Sequence, residues 1–170
     1  MSYSAAPILE TERLVLRPYC EADFERFASY FASPRSIHTD GPVSRTTAWD
    51  LFTAGSGRWM IVGYGAWTVA HKSDAEAIGI VSLNTAIDLP HHELGWILWE
   101  EFEGHGFAYE AAMRARDFAF TDLGWKTLIS GIHKDNNRSI MLAERLGASL
   151  DTSLKLASEP ETVFYRHKPR

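Results

Sequence analysis

Cysteine is nearly absent from this chain of 170 residues. Cys20 stands alone, which excludes an internal disulfide framework and a cysteine-built zinc site and makes a reducing, cytoplasmic setting the expectation. By itself it reads as a small buried or half-buried hydrophobe. No stretch approaches the roughly 20 apolar residues of a membrane span, and residues 1–12 lack a basic region followed by an apolar core, so neither membrane nor export is expected. Basic residues are in deficit too: 17 Lys and Arg against 22 Asp and Glu give a net charge of −5, which speaks against a broad nucleic-acid footprint. The histidines His38, His91, His92 and His133 show no ligand spacing, and no metal is expected.

What is present suits one domain over residues 1–170, since 45% hydrophobic residues is ordinary for a globular chain of this length. Residues 13–17 alternate polar and apolar before Pro18, as a half-buried strand does. Phe24, Phe27, Ala28 and Phe31 recur at helical spacing within 21–31, with Pro34 beyond. Ser44 is placed to cap a second helix over 46–54. Strands are expected at 65–71, 77–83 and 92–99, the last apolar on both faces and therefore central. A long helix with small alanines on its buried stripe ends at Gly124; a strand at 127–133, a helix over 136–146 stopped by Gly147, and strands at 148–155 and 162–167 complete the order. That order fits a mixed α/β sheet with one parallel crossover in its middle.

The stretch from Trp96 to Ala112 organises the rest: a strand, an acidic turn, the glycines Gly104 and Gly106, then a helix with no Ser, Thr, Asp or Asn to cap it. Open amides at a helix start, with backbone brought close by glycine, make a phosphate site. It is not a Walker loop, because Phe107 and Ala108 stand where Lys and Ser or Thr are needed. A dinucleotide fingerprint fits poorly, because Tyr109 takes the place of its third glycine.

With these parts in order the chain resembles the GNAT superfamily of acyl-CoA-dependent N-acetyltransferases, and within it the ribosomal-protein N-terminal (RimJ/RimL-type) branch. The resemblance runs from Leu9–Pro18 through Glu93-Leu94-Gly95-Trp96, the loop from Glu103 to Ala112 and the Asn136–Ala148 signature to Tyr165-Arg166. It implies the GNAT fold, a mixed, mostly antiparallel sheet with splayed central parallel strands flanked by helices. It also implies acetyl-CoA as co-substrate, with a CoA pyrophosphate held by Glu103, Gly104, His105, Gly106, Phe107 and Ala108, and with Asn136 touching CoA while capping its helix. Pantetheine would lie along Ile97, Leu98 and Trp99, where a backbone amide serves the developing oxyanion. Glu103 departs from the usual Gln or Arg, and its carboxylate weakens phosphate binding unless it points away. His105 is either a cofactor contact or a surface histidine, and Lys134, Arg138 and Arg145 either meet phosphates or are solvated helix charges.

Acetyl transfer to an amine needs the amine deprotonated, the carbonyl oxygen stabilised and the thiolate protonated. Many relatives use a Tyr seven residues after the motif Asn as the acid, and this chain has Ala143 there. Ser139 is the substitute, or else a hydroxyl bonded within its own helical turn. For the base, Glu93 competes with a water chain and with a purely structural role. The expected reaction is direct transfer to a primary amine, either a protein N-terminus or a small molecule; a CoA-binding sensor or partner module without turnover is the alternative. The acceptor should depend on residues 33–58 and 86–92, and exposed tryptophans would leave a homodimer open.

Overall fold

A computed structural model describes residues 6–85 and 91–169. Eight strands form one sheet in the order β1-β2-β3-β4-β5-β6-β8-β7. They are β1 (Leu9–Glu10), β2 (Leu14–Arg17), β3 (Ala66–His71), β4 (Ala77–Thr85), β5 (His92–Leu98), β6 (Leu128–His133), β7 (Ser149–Leu150) and β8 (Thr162–His167). All neighbours are antiparallel except β5 and β6. The helices are α1 (Phe24–Ala32), α2 (Arg45–Val62), α3 (Phe107–Thr121) and α4 (Asn137–Arg145). Helix α3 makes the crossover between the parallel pair, as the pattern of elements predicts.

Two apolar layers sandwich the sheet. On one face Ala111, Ala112, Ala115, Phe118 and Ala119 of α3 pack against Leu14, Leu16, Trp67, Val69, Val81 and Leu94. The alanines let the helix lie close to the strands. On the other face Phe24, Phe27 and Phe31 of α1 meet Phe52 of α2, Ile80 and Trp99. These two helices form a wall beside the central strands.

Two expectations need correction. Helix α2 continues to Val62 rather than ending near residue 54, because Gly55 and Gly65 let it settle on the start of β3. A methyl on Gly65 would lie 2.8 Å from the Gly55 carbonyl oxygen. The expected strand over 148–155 shrinks to Ser149–Leu150, because the chain turns at Asp151, whose carboxylate takes the Ser153 amide and the Arg166 guanidinium. No helix among the described residues is long and apolar enough to cross a membrane. Of the segment 86–92 expected to shape acceptor choice, residues 86–90 lie outside the described residues.

Candidate functional site

The acidic turn after β5 is one 3-10 turn, Glu100–Phe102, and it delivers the chain to Gly104 and Gly106 at φ 79° and 81°. These left-handed conformations favour glycine, and Gly106 is the residue from which α3 departs. No side chain caps that start, and the amides of Phe107, Ala108 and Tyr109 find no acceptor among the described residues. They and the positive end of the helix dipole face the loop.

The loop is anchored from the N-terminal strands. Glu110 accepts hydrogen bonds from the Arg13 backbone (2.8 Å), the Arg13 guanidinium (2.7 Å) and Thr11 (2.5 Å). Burial pushes the Glu110 carboxyl up, but these donors outweigh it and hold its pKa below the ordinary value. Arg13 also donates to the His105 carbonyl at 3.1 Å and lies 4.5 Å from the Phe107 ring centre. Strand β2 therefore fixes the path of the glycine loop.

Parallel strands β5 and β6 touch through a single register pair, Glu93 with Ile129, and diverge beyond it. The Leu94 carbonyl accepts from the Ser130 hydroxyl at 2.7 Å, so the peptide groups of even-numbered residues on β5 face β6. On the other edge the Trp99 amide donates to Ile78 at 3.0 Å, so odd-numbered groups face β4. Trp96 and Leu98 consequently present their backbone to the opening between the strands. Trp99 is buried with its amide spent on Ile78, and Ile97 reaches the site by its side chain.

A cavity of about 320 Å³ lies along this opening. Ile97, Leu98, Glu103, Gly104, Gly106, Ala108, Asn136 and Ser139 line it, which brings together most of the residues singled out in the sequence. His105 and Phe107 do not join them: they face a separate hollow beside His71, and their rings lie 5.7 Å apart. Asn136 caps α4 by accepting the Ser139 amide at 3.3 Å and also borders the cavity. The Ser139 hydroxyl has no hydrogen-bond partner among the described residues, contrary to its reading as a hydroxyl bonded within its own turn.

Charge in this cavity opposes the charge of the chain as a whole. Arg35, Arg138 and Arg145 line it from two different elements, and Glu103 is its acidic member. Glu103 forms ion pairs with both Arg35 and Arg138, and Arg35 also reaches Glu100 at 3.3 Å. The carboxylate that is out of place in a phosphate loop is thus turned onto two guanidinium groups. Arg145 stacks on Tyr109 at 4.5 Å. Backbone amides, guanidinium groups and an unpaired strand edge are the donors a polyphosphate with an amide-bearing arm requires, so these residues fit CoA.

A second cavity, about 520 Å³, opens on the other side of β5. His38, Thr39, Trp96, Ile97, Asn136 and Ser139 border both cavities, which therefore meet at that point. Of these two, Glu93 lines the second and not the first. Burial raises its pKa; the Gly131 amide and Arg58 pull it back, while Glu159 and Asp40 push it further up. The carboxyl is thereby made a stronger proton acceptor than an exposed glutamate.

Sequence reasoning missed Arg35, His38 and Tyr109. The first two sit in the 3-10 turn Pro34–His38, within a polar segment that carries no periodicity. Tyr109 drew notice only as the residue replacing a third glycine.

Residues 13–149 match the acetyltransferase (GNAT) domain model. A crystal structure of an acetyltransferase from Agrobacterium tumefaciens is 38% identical, with 99% of this chain and 98% of that one covered and a TM-score of 0.92. A Bacillus subtilis protein, the uncharacterized N-acetyltransferase YoaA, is 25% identical over 146 residues, 83% of this chain and 82% of its own length. The ribosomal L7/L12 α-N-protein acetyltransferase RimL, solved in complex with coenzyme A, superposes at a TM-score of 0.74 with 18% identity, covering 95% of this chain and 98% of that one. At that identity the likeness is one of fold.

Proposed function

We propose that this chain, which belongs to the GNAT acetyltransferase family, takes an acetyl group from acetyl-CoA and passes it directly to a primary amine while both are bound. The observation that carries the reading is the meeting of two cavities at the open edge of β5, one edged by arginines and free helix amides, the other by a half-buried carboxyl. Acetyl-CoA supplies a thioester carbonyl at that junction.

The chain's own groups divide the remaining work. Amides at the start of α3, with Arg35, Arg138 and Arg145, hold the phosphates. The unpaired edge of β5 at Trp96 and Leu98 receives the pantetheine arm as an added strand. Glu93, with its raised pKa, draws an ammonium into the second cavity and takes its proton. Ser139, whose hydroxyl is uncommitted, donates toward the departing sulfur. Cys20 borders neither cavity, so no acyl-enzyme is expected. An N-terminal amine of a protein, the acceptor that RimL's name gives for a protein of the same fold, is the first case to test, with a small-molecule amine as the other.

Acetyl-CoA binding by calorimetry, followed by thiol release with a panel of N-terminal peptides and small amines, tests this. Release with at least one amine is expected. Binding without release for every amine would favour a CoA-binding module, a reading that Ala143 in place of the usual tyrosine supports. No binding at all would end the proposal.

A further inference from the structure

His38 belongs to no motif, yet it borders both cavities at their junction. Its position is fixed from several sides. Ser36, wholly buried, donates to the Ser33 carbonyl at 2.8 Å, and its own carbonyl accepts the Thr39 amide at 2.8 Å. The Tyr30 and Thr39 hydroxyls are 2.8 Å apart. Gly41 closes over this turn so tightly that a methyl there would fall 2.0 Å from the Ser36 hydroxyl oxygen. The imidazole itself stacks on His133, ring centres 4.5 Å apart and planes 28° apart. The Nδ1 of His133 accepts the Asp135 amide at 3.2 Å.

The two nitrogens of His38 are not equivalent. Nδ1 is buried and has no partner among the described residues. Left unpaired, Nδ1 is penalised in either tautomer, as a donor or as an acceptor. Nε2 makes no hydrogen bond to the described protein and is the ring's open nitrogen, and the tautomer with its proton on Nε2 is the one that offers a donor to a ligand. A rigidly held ring with a free N–H donor, placed where acyl donor and amine must meet, is the arrangement needed to stabilise negative charge on oxygen.

We infer that His38 is a catalytic residue that donates its Nε2–H to the acetyl carbonyl oxygen of bound acetyl-CoA. The inference rests on the transferase reading above. As the amine nitrogen bonds to the carbonyl carbon, the π-electron pair moves onto oxygen and the His38 N–H holds it there. When the carbonyl re-forms, the C–S bond breaks and the electron pair leaves with sulfur. His38 gains and loses no proton; Glu93 takes one proton from the ammonium before attack, and the second, released from nitrogen as the tetrahedral adduct collapses, reaches the departing sulfur through the Ser139 hydroxyl, which gives one proton and regains one. The Leu98 amide, on the opening of β5, is the complementary donor from the backbone.

The test reads the bound carbonyl directly. Infrared difference spectra of carbonyl-13C-labelled acetyl-CoA should show its stretch moved to lower frequency on binding. His38→Phe, which keeps a flat ring against His133, should remove most of that shift with acetyl-CoA affinity within about two-fold, and His38→Gln should restore part of it through its amide N–H. With an amine that the unsubstituted protein acetylates, kcat should fall about 100-fold or more in H38F and recover in part in H38Q. An unshifted stretch in the unsubstituted protein overturns the assignment whether or not the variants fold, and so does an H38F protein with normal stretch and normal kcat. Failure of the unsubstituted protein to bind acetyl-CoA sinks the transferase reading itself.

Discussion

Glu103 joins the fold to the chemistry. Two guanidinium groups hold its carboxylate, and both also face the cavity assigned to the cofactor phosphates. Replacing it with Gln has two opposed effects. Arg138, with a side chain 70% exposed, loses a partner worth at most about 1 kcal/mol, and Arg35 keeps Glu100. Against that, a negative charge is removed from beside a pyrophosphate, a gain of roughly 1 kcal/mol at short range in a half-solvated site. Because both arginines are also released toward the phosphates, the second effect should win. Glu103→Gln is expected to bind CoA about five-fold more tightly, with the gain shrinking as salt is raised. Calorimetry at low and high ionic strength checks it, and equal or weaker affinity at low salt would refute it.

Element by element, the strands and helices are legible wherever a single period runs uninterrupted. The phenylalanines of α1 and the alanines of α3 mark their buried faces in sequence, and both sit where periodicity puts them. Gly104 and Gly106 mark the turn because the backbone there needs positive φ. Legibility fails where contacts distant in sequence decide. Helix α2 runs through Gly55 because Gly65 and Ala66 of another element receive it, and β7 is cut short by an Asp151–Arg166 pair. His38 and Arg35 enter the site because the turn after α1 folds over β5, which no local pattern announces. Strand β5 depends on a similar distant contact. A methyl on Gly79 of β4 would lie 2.3 Å from the Ile97 carbonyl oxygen and 3.0 Å from the Leu98 α-carbon. Gly79→Ala should push β5 away at the opening, costing roughly 1–3 kcal/mol, a drop of about 5 °C in melting temperature. CoA affinity should fall with it. A variant with unchanged melting and affinity would show that β5 is not held by this contact.

At the scale of the whole molecule, acid sensitivity has an identifiable source. His167, 1% exposed, donates from Nε2 to the Ser130 hydroxyl (3.0 Å), which in turn donates to the Leu94 carbonyl. Burial, with the Arg116 charge nearby, lowers its pKa from 6.5 to about 4. The folded chain therefore binds this proton less readily than the unfolded one. The stability it supports is complete above pH 6.5 and is lost as pH falls toward 4. Unfolding free energy should drop by about 2 kcal/mol from this group between pH 7.5 and pH 5. Urea titrations of His167→Gln should show that part of the drop removed; an identical pH dependence in the variant would refute the assignment. Among the described residues the same Ser130 bond, the Gly131 amide on the Glu93 carboxyl and the single Glu93–Ile129 register pair tie β5 to β6. Five strands on one side and three on the other are thus hydrogen-bonded almost as separate ladders, joined covalently through α3. In amide hydrogen exchange the free protein should behave as two units that open independently, each with its own protection. A ligand arm whose own amides bridge Trp96 and Leu98 to β6 should merge them, so that strands remote from the phosphates gain protection together.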